Sequence, residues 1–308
     1  MSLILLGHRG LGPIQRPFNR YQEHCFENTV PAFLQAIAYG ASGIELDLRV
    51  TRDQQVIICH DDHIKFFDSA CGITIKDSTL KELRDYCKDS GLVIPTFSEV
   101  IQSLRPMREM FAHPDSLIIN AELKDSNAAH HISAILQDNI RQGESGIGNL
   151  LFNSSDWNAI RELKSIVPEA CVCLNVDGSI FAVDEEFVSL SRAINTCAKL
   201  GNPKQDLESF LGSVDCYGID IKVGYINDVA IGFCQSRNLA LVACVSDGNE
   251  ERELHQKYCH IQRALSVLPA VFIKSNNIRF SATLFAGMSI DRSYSPSSPP
   301  TPALTAGF

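Results

Sequence analysis

The chain has 308 residues, 45% of them hydrophobic, which is enough for one large folded domain or for two and excludes disordered and fibrous proteins. Its formal net charge of −9 and its pI near 5.5 argue against nucleic acid or an anionic membrane surface as the main partner, because both attract basic surfaces. Any phosphate group must therefore be bound by a few local cations.

Eleven cysteines are scattered singly, except for the Cys-x-Cys at Cys171 and Cys173, and no Cys-x-x-Cys pair occurs. This usage is typical of a reducing compartment, where cysteine behaves as a small buried hydrophobe, so we do not expect a zinc site. The N-terminus has no basic region and an apolar run of only four residues, far shorter than a signal peptide or membrane span. We predict a cytoplasmic protein without stable membrane insertion.

The first strand is predicted at residues 3–6, a fully apolar run that is followed by His8 and Arg9. A loop of 16 residues comes next. A helix is then predicted to begin near residues 28–29 and to end by Gly40. With the strand that follows, these elements make the first parallel unit, and His8 and Arg9 lie at the carboxyl end of its first strand.

Residues 43–50 alternate in character, with apolar side chains on one face and Glu45 and Asp47 on the other. Two neighbouring carboxylates repel each other, and a bound cation is the simplest way to relieve the repulsion. A half-exposed strand with solvated charges is the alternative explanation of this stretch taken alone.

The next apolar run, residues 56–59, begins too soon after Val50 for a parallel crossover, so it must return antiparallel through a turn at 51–54. The run ends at His60, which the hairpin carries back toward the carboxylates. A histidine beside a metal-binding pair is a candidate acid or base, although a lone histidine is more often structural.

About 50 residues separate this hairpin from the next strong strand, and two helices are predicted there from capping boxes at 79–82 and 96–99. Residues 117–124 then repeat the alternating pattern, with Glu122 and Lys124 on the polar face. A second strand therefore offers a carboxylate and adds an ammonium group.

From residue 126 onward, helices and strands alternate. Helices are predicted near 126–141, 155–166, 184–200, 226–237 and 250–265, and strands at 149–153, 171–175, 215–221, 239–245 and 270–274. Eight βα units favour a (β/α)8 TIM barrel over a doubly wound sheet, with a small insertion at about 62–115 after the second strand and its hairpin. Active groups of such a barrel lie at the carboxyl ends of strands, which is where the sequence places His8, Arg9, Glu45, Asp47, Glu122 and Lys124.

The segment from about residue 287 loses apolar periodicity and becomes rich in serine and proline. Such a composition offers no apolar face to bury, so we predict a barrel domain over 1–286 and a disordered tail over 287–308. We expect deletion of the tail to leave stability nearly unchanged.

Six motifs in order, over roughly residues 4–170, resemble the glycerophosphodiester phosphodiesterase family: His8-Arg9-Gly10, Glu27-Asn28-Thr29, Glu45-x-Asp47, Thr51-x-Asp53, His60-Asp61 and Asn120-x-Glu122-x-Lys124. The resemblance implies a TIM barrel and metal-dependent hydrolysis of glycerophosphodiesters, such as glycerophosphocholine, to glycerol 3-phosphate and an alcohol. The small-molecule diester is the partner it implies.

The resemblance also implies a role for each site residue. It makes His8 and His60 the acid/base pair, Arg9 and Lys124 the phosphate-contacting cations, and Glu45, Asp47 and Glu122 the ligands of one divalent metal ion. Three hard oxygen donors favour Mg²⁺ or Ca²⁺ over zinc. The choice between the two ions, the assignment of acid and base, and the oligomeric state stay open at this stage.

The carboxyl-terminal third departs from the family pattern. The family has Trp-Thr-Val-Asn near the seventh strand, where this chain has residues 243–246, and Thr-Asp near the eighth, where it has Lys274 and Ser275. Two alternatives therefore stay open. One is a lysophospholipase D, for which an apolar lip would come from Phe18, Tyr21, Phe66 and Phe67 unless these side chains only pack the loops. The other is a non-catalytic barrel that binds a phosphorylated ligand.

Overall fold

Eight parallel strands close into a barrel in the computed structural model, which describes residues 3–14, 25–108, 117–141, 149–181, 203–245 and 249–288. The strands of the chain are β1 (Leu3–Gly7), β2 (Gly43–Val50), β3 (Val56–Ile58), β4 (His63–Ile64), β5 (Ile73–Thr74), β6 (Ile118–Leu123), β7 (Leu150–Ser154), β8 (Cys171–Asn175), β9 (Gly218–Lys222), β10 (Ala240–Cys244) and β11 (Val271–Ser275). The barrel order is β1, β2 and then β6 to β11, and β11 pairs with β1 to close it. The predicted TIM barrel is confirmed.

Helices surround the barrel, and their bounds are α1 (Val30–Ala38), α2 (Leu80–Cys87), α3 (Phe97–Arg108), α4 (Ala128–Arg141), α5 (Trp157–Ile166), α6 (Pro203–Leu211), α7 (Asp228–Ser236), α8 (Glu250–Val267) and α9 (Ile278–Leu284). Helices α6 and α9 were not predicted. The predicted helix at 184–200 lies outside the described residues, as does all of the predicted tail beyond residue 288.

Alternation along each strand divides the side chains between two cores. On β2 the apolar side chains Ile44, Leu46 and Leu48 are fully buried between the sheet and its helices. Their neighbours Glu45 and Asp47 consequently face the barrel interior. At the amino-terminal end of the strands the interior is apolar, with residues such as Ile4 and Phe272. The polar side chains therefore gather at the carboxyl-terminal end.

The hairpin after β2 has the predicted antiparallel geometry. Strand β3 pairs with β2 so that Val56 lies opposite Val50, and Thr51 N–H donates to the carbonyl of Gln55 at 3.0 Å. Gln54 adopts a left-handed conformation with φ of 61°, which closes the turn. The chain therefore turns back toward the carboxyl-terminal end of the barrel before it reaches His60.

The segment after the hairpin builds a small core of its own, which includes Ile64, Phe66, Leu83 and Ile94. Helix α3, in contrast, packs in the main core through side chains such as Phe97. Helix α3, which the predicted insertion includes, therefore belongs to the helical layer of the barrel. Within the described ranges, no helix is long and apolar enough to cross a lipid bilayer.

Candidate active site

Three carboxylates meet where β2 and β6 end. Glu45 and Asp47 come from β2, and the parallel register sets Asp47 opposite Glu122 of β6. One oxygen of each side chain lies within 4.8 Å of the other two. Glu45 and Asp47 are each only 1% exposed to solvent. Anions this close and this buried repel one another unless cations lie among them.

The two cations predicted from the sequence contact this carboxylate cluster. Lys124 Nζ lies 2.7 Å from Glu122 Oε1 and 3.2 Å from Asp47 Oδ1. Arg9 Nε lies 3.4 Å from Asp47 Oδ2, and its Nη1 donates to Glu27 Oε1 at 3.2 Å. The Arg9 guanidinium and the Lys124 ammonium therefore both border the cluster. An anion bound at the cluster would contact these two cations.

The pKa of the Asp47 carboxyl lies well below its usual range. Burial raises this pKa, but the charges of Lys124, Arg9 and His60 lower it more strongly. Asn28 Nδ2 also donates to Asp47 Oδ2 at 2.8 Å. Asp47 is therefore an anion at neutral pH.

His8 follows β1 and faces the same end of the barrel. Its Nδ1 lies 2.6 Å from Asn276 Oδ1, and its Nε2 lies 4.0 Å from Glu45 Oε2 and 3.9 Å from Cys244 Sγ. Burial lowers the pKa of His8, but interactions with Cys244 and then with the Glu45 carboxylate outweigh burial and raise it to about 10. The imidazole ring therefore lies beside the carboxylate cluster with its Nε2 toward Glu45.

His60 lies at the end of the hairpin, two residues after β3, and its charge acts on Asp47. Its Nδ1 is 2.6 Å from Asp61 Oδ1, and its side chain is 31% exposed. Arg49 Nε donates to the His60 carbonyl at 2.9 Å, which fixes the backbone there. The two histidines thus differ in their partners: a neutral amide for His8 and a carboxylate for His60.

A continuous row of four polar side chains crosses the barrel beneath the cluster, and we call these residues, Asn120, Asn153, Asp220 and Lys274, the polar layer. Asn120 Nδ2 donates to Asn153 Oδ1 at 2.9 Å, and Asn153 Nδ2 donates to Asp220 Oδ2 at 3.1 Å. Lys274 Nζ lies 2.6 Å from Asp220 Oδ2 and 3.7 Å from Glu45 Oε1. The row links four strands to the Glu45 carboxylate.

Charge in the polar layer is maintained by pairing. Burial would lower the pKa of Lys274, but Asp220 and Glu45 raise it well above the ordinary value, so the ammonium stays charged. Burial raises the pKa of Asp220 to about 6, and the charge of Lys274 limits that rise. Both groups are therefore ionised at neutral pH.

The donor set fits a divalent cation that prefers oxygen ligands. Five carboxylates face three permanently charged side chains here, Arg9, Lys124 and Lys274, and the protonated ring of His8 adds a fourth positive charge; once a bound cation displaces that proton, two excess negative charges remain. The buried Oδ1 of Asn120, the register neighbour of Glu45, also has no hydrogen-bond partner within the described chain. A hard, doubly charged ion at the cluster would balance the charge.

The departures from the family pattern have different surroundings. Ala243 packs in the core between the barrel and its helices, whereas Cys244 lies against His8. Ser246 lies outside the described residues. Lys274 enters the polar layer, and Ser275 Oγ donates to Glu250 Oε1 at 2.6 Å. Two of these departures, Cys244 and Lys274, therefore lie in contact with predicted site residues, His8 and Glu45.

The four aromatic residues considered as a lip do not share one environment. Phe66 is fully buried in the small core after the hairpin, where its ring contacts Tyr86 at a centroid distance of 5.5 Å. Phe67 is 82% exposed. Phe18 and Tyr21 lie outside the described residues. Phe66 therefore packs the loops, and Phe67 alone of this pair is free to meet a ligand.

Sequence reasoning missed Asp220 and Asn276 and treated Lys274 only as a departure. For Asp220 a signal existed, because residues 218–222 alternate between apolar and polar side chains as β2 does. The predicted helix start near Asn28 or Thr29 is confirmed, because Thr29 is the residue before α1, but the contact of the Asn28 side chain with Asp47 was not foreseen. The contact of Asn28 with Asp47 joins two separate segments of the chain, and such a contact leaves no hydrophobic periodicity in either segment from which it could be predicted.

Comparison with known proteins adds a family and a fold. The sequence profile of the Glycerophosphoryl diester phosphodiesterase family matches residues 8–177, which is more than half of the chain. A glycerophosphodiester phosphodiesterase of Caldanaerobacter subterraneus subsp. tengcongensis is 26% identical over 181 residues, covering 54% of this chain and 64% of that protein. Human lysophospholipase D GDPD1 is 39% identical over 109 residues, covering 33% of each chain.

The chain's alignments span 40%, 64% and 44% of the length of the first three curated relatives. Among solved structures, an Oleispira antarctica phosphodiesterase in complex with the product sn-glycerol-3-phosphate superposes with a TM-score of 0.60. That alignment covers 91% of this chain and 96% of the other at 19% identity, so it shows a common fold.

Proposed function

The chain belongs to the glycerophosphoryl diester phosphodiesterase family, and from that premise we propose that it hydrolyses glycerophosphodiesters, such as glycerophosphocholine, to glycerol 3-phosphate and an alcohol. One observation carries the proposal: three carboxylates, two histidines and two cations gather at the carboxyl-terminal end of one barrel. The complex of the Oleispira phosphodiesterase with sn-glycerol-3-phosphate supports the same substrate class.

Glu45, Asp47 and Glu122 would hold one divalent cation, Mg²⁺ or Ca²⁺. Their carboxylate oxygens are hard donors, and the described residues around them offer the two excess negative charges that such an ion would balance. When bound, the ion would supply a Lewis acid for the anionic oxygens of the diester. Zinc is disfavoured, because no imidazole or thiolate belongs to this donor set.

Arg9 and Lys124 bind the phosphate in this proposal. A phosphodiester resists attack because its anionic oxygens repel a nucleophile, and cations at those oxygens stabilise the charge that develops. Both side chains border the carboxylate cluster, and both are held there by Asp47. They therefore need no large movement to reach an anion bound at the cluster.

The two histidines move the protons. His8 Nε2 faces the cluster in a nearly closed environment. A cation bound at Glu45 would offset the carboxylate that raises the pKa of His8, and the neutral ring would then take a proton from the attacking oxygen. His60 is partly exposed, and the contact of its Nδ1 with the Asp61 carboxylate orients the ring. We assign His60 as the acid that gives its proton to the leaving alkoxide.

The test is turnover of glycerophosphocholine by the purified full chain, with choline and glycerol 3-phosphate measured separately. Matched release of both is the expected result, and it should be lost in His8→Ala and His60→Ala but kept in His63→Ala, whose ring pairs only with the exposed Asp62. Saturable phosphate-ester binding without any turnover would instead support the non-catalytic barrel.

A second candidate function is that of a lysophospholipase D. The 39% identity to the human lysophospholipase D over 109 residues favours it, and so does the exposed ring of Phe67. The same groups would then act on a diester that carries an acyl chain. Release of choline from lysophosphatidylcholine much faster than from glycerophosphocholine would select this function over the first.

We also propose a cytoplasmic location, with a barrel domain over 1–286 and a dispensable tail over 287–308. The cysteines of the described residues form no disulfide, in keeping with a reducing compartment. Cell fractionation tests the location. Removal of 287–308 tests the domain boundary, since it should leave the melting temperature and the turnover unchanged.

A further inference from the structure

We propose that Asn276 is a positioning residue for His8: its side-chain oxygen accepts the Nδ1 proton and thereby directs Nε2 toward the carboxylate cluster. The inference deepens the proposed function, because it rests on His8 being one of the two proton-transfer groups. The Asn276 side chain contacts neither the carboxylate cluster nor, in this proposal, the substrate.

The geometry at His8 specifies which ring nitrogen carries the fixed proton. The distance from Asn276 Oδ1 to His8 Nδ1 is 2.6 Å, which is a short hydrogen bond. A carboxamide oxygen can only accept, so Nδ1 must be the donor whatever the state of the rest of the ring. Nε2, which lies 4.0 Å from Glu45 Oε2, is then the nitrogen left to exchange a proton with a ligand.

The backbone holds Asn276 firmly against His8. Asn276 N–H donates to Glu250 Oε2 at 2.8 Å, and His8 N–H donates to the Ser275 carbonyl at 2.9 Å. The first bond ties the end of β11 to the start of α8, and the second ties β1 to β11. Asn276 is therefore fixed to the start of α8, and His8 is fixed to the end of β11.

Glu250 is built to act as this anchor. It is only 7% exposed, and besides Asn276 its carboxylate accepts from Ser275 Oγ at 2.6 Å and from Ser281 Oγ at 2.9 Å. A buried carboxylate with three donors is well satisfied and therefore rigid. A residue whose backbone N–H is anchored to it has little freedom to turn its side chain away from His8.

The loop after β1 closes the other side of Asn276. Gly12 has φ of 91°, and a Cβ at this position would lie 2.8 Å from the Asn276 Cβ. Only a glycine leaves room here, so the loop backbone packs directly on Asn276. The side chain is thus confined between this loop and the anchor.

A purely structural role does not account for the side chain. The residue that caps α9 is the next one, Asn277, whose Oδ1 accepts from Phe280 N–H at 3.2 Å. Within the described chain, the Asn276 side chain has no hydrogen-bond partner besides His8. Two adjacent asparagines consequently have separate tasks, and the second supplies a matched control for the first.

The experiment compares Asn276→Leu, which removes the acceptor at similar size, with Asn276→Asp, which keeps an acceptor, and with Asn277→Leu. Protein with ring-¹⁵N histidine is examined by ¹H–¹⁵N NMR, and the His8 signals are assigned from their absence in His8→Ala. We expect a protected proton on His8 Nδ1 in the wild type, in Asn276→Asp and in Asn277→Leu, and its loss in Asn276→Leu.

Kinetics of glycerophosphocholine hydrolysis supply the second readout. In Asn276→Leu, kcat should fall on the order of 10- to 100-fold with KM nearly unchanged, as is usual for groups that orient a reacting side chain. Asn276→Asp should recover most of kcat, and Asn277→Leu should lower the melting temperature but not kcat.

A His8 Nδ1 proton that persists in Asn276→Leu, or a loss of kcat in Asn276→Asp as large as in Asn276→Leu, would overturn the proposal. Circular dichroism of each variant identifies any that fail to fold, and the Asp variant then decides. The NMR result does not depend on turnover. An inactive wild type would therefore count against the proposed function and leave the role of Asn276 to be judged by the spectrum.

Discussion

Lys274 Nζ lies 2.6 Å from Asp220 Oδ2 in the interior of the barrel, and the two side chains are only 2% and 5% exposed. Removal of one partner from a buried pair leaves an uncompensated charge, which costs about 3–5 kcal/mol. We therefore predict that Lys274→Met lowers the free energy of unfolding by about this amount, as measured by guanidinium denaturation.

The double variant Lys274→Met with Asp220→Asn tests the pairing itself. Replacement of both charges by neutral groups leaves neither member of the Lys274–Asp220 pair as a lone buried charge, so most of the lost stability should return. The asparagine can still accept the hydrogen bond that Asn153 gives to Asp220. A double variant that is less stable than Lys274→Met would contradict the assignment of this pair.

Glu99 predicts a pH dependence of stability at the start of α3. Partial burial raises its pKa, but the Thr96 N–H at 2.7 Å and the Arg84 guanidinium at 2.6 Å lower it further than burial raises it. Because the folded pKa is depressed, the contribution to stability is present above the unfolded value of 4.5 and is lost as the pH falls through the folded value.

Glu99→Gln should therefore be less stable than the wild type near pH 7, by about 1–2 °C in melting temperature because the group is largely exposed, and the difference should shrink toward pH 3. Melting curves between pH 3 and 7 measure this. Glu169→Gln, on an exposed turn, is the control and should follow the wild type. A difference for Glu99→Gln that is the same at pH 3 and pH 7 would be inconsistent with the assigned cause.

The carboxylate cluster could be predicted from sequence because strand periodicity has a fixed period of two. Once the apolar residues of β2 and β6 face the helices, Glu45, Asp47 and Glu122 must face the interior, and parallel register sets the last two side by side. The cations Arg9 and Lys124 follow from the same argument. Lys124 directly follows β6, and Arg9 is the second residue after β1.

Contacts made by barrel closure could not be predicted in this way. His8 and Asn276 are 268 positions apart, and neither segment contains a pattern that names the other. The contact exists because β11 pairs with β1, which follows from the whole strand order. The same holds for Lys274, which looks like the end of an apolar strand until Asp220 and Glu45 are placed around it.

Adjacent phenylalanines show a further limit of local patterns, and they also allow a prediction. Phe66 is fully buried and Phe67 is 82% exposed. Phe66→Ala should therefore lower the free energy of unfolding by about 3–5 kcal/mol, whereas Phe67→Ala should change it by less than about 0.5 kcal/mol. Denaturant unfolding of the two variants measures the contrast.

Phe67→Ala also separates the two candidate substrates. If an acyl chain lies against this ring, the variant should raise KM for lysophosphatidylcholine and leave KM for glycerophosphocholine unchanged, because only the lipid offers apolar surface to bury. Equal KM changes for both substrates would exclude a lip at Phe67.

Removal of divalent ions should abolish turnover and leave the fold in place. EDTA followed by dialysis is expected to remove activity, and Mg²⁺ or Ca²⁺ should restore it, because the proposed ligands leave positions of the ion open to the diester. Glu122→Gln should weaken metal binding by at least about tenfold. Isothermal titration gives the affinity, and circular dichroism checks the fold.

The control for the metal experiment is Glu169→Gln, which lies far from the cluster in sequence and on an exposed turn, and should bind the ion as the wild type does. Full activity after exhaustive chelation would refute metal dependence. Loss of structure on chelation would show instead that the ion is needed to hold the carboxylates together.

Lys124 gives the last prediction, because its ammonium occupies the space between two proposed metal ligands. It lies 2.7 Å from Glu122 Oε1 and 3.2 Å from Asp47 Oδ1, so it already neutralises part of the charge that would attract an ion. Lys124→Met should therefore bind Mg²⁺ or Ca²⁺ more tightly, by about tenfold or 1.4 kcal/mol.

Turnover should move in the opposite direction in the same variant. Loss of a cation from the phosphate site is expected to lower kcat by about 10²- to 10³-fold, even when the ion is saturating. Lys81→Met, which removes an exposed ammonium paired with Asp85, controls for net charge and should change neither quantity. Tighter metal binding together with slower turnover would distinguish a phosphate-binding lysine from one that only supports the metal ligands, since loss of the latter would weaken both.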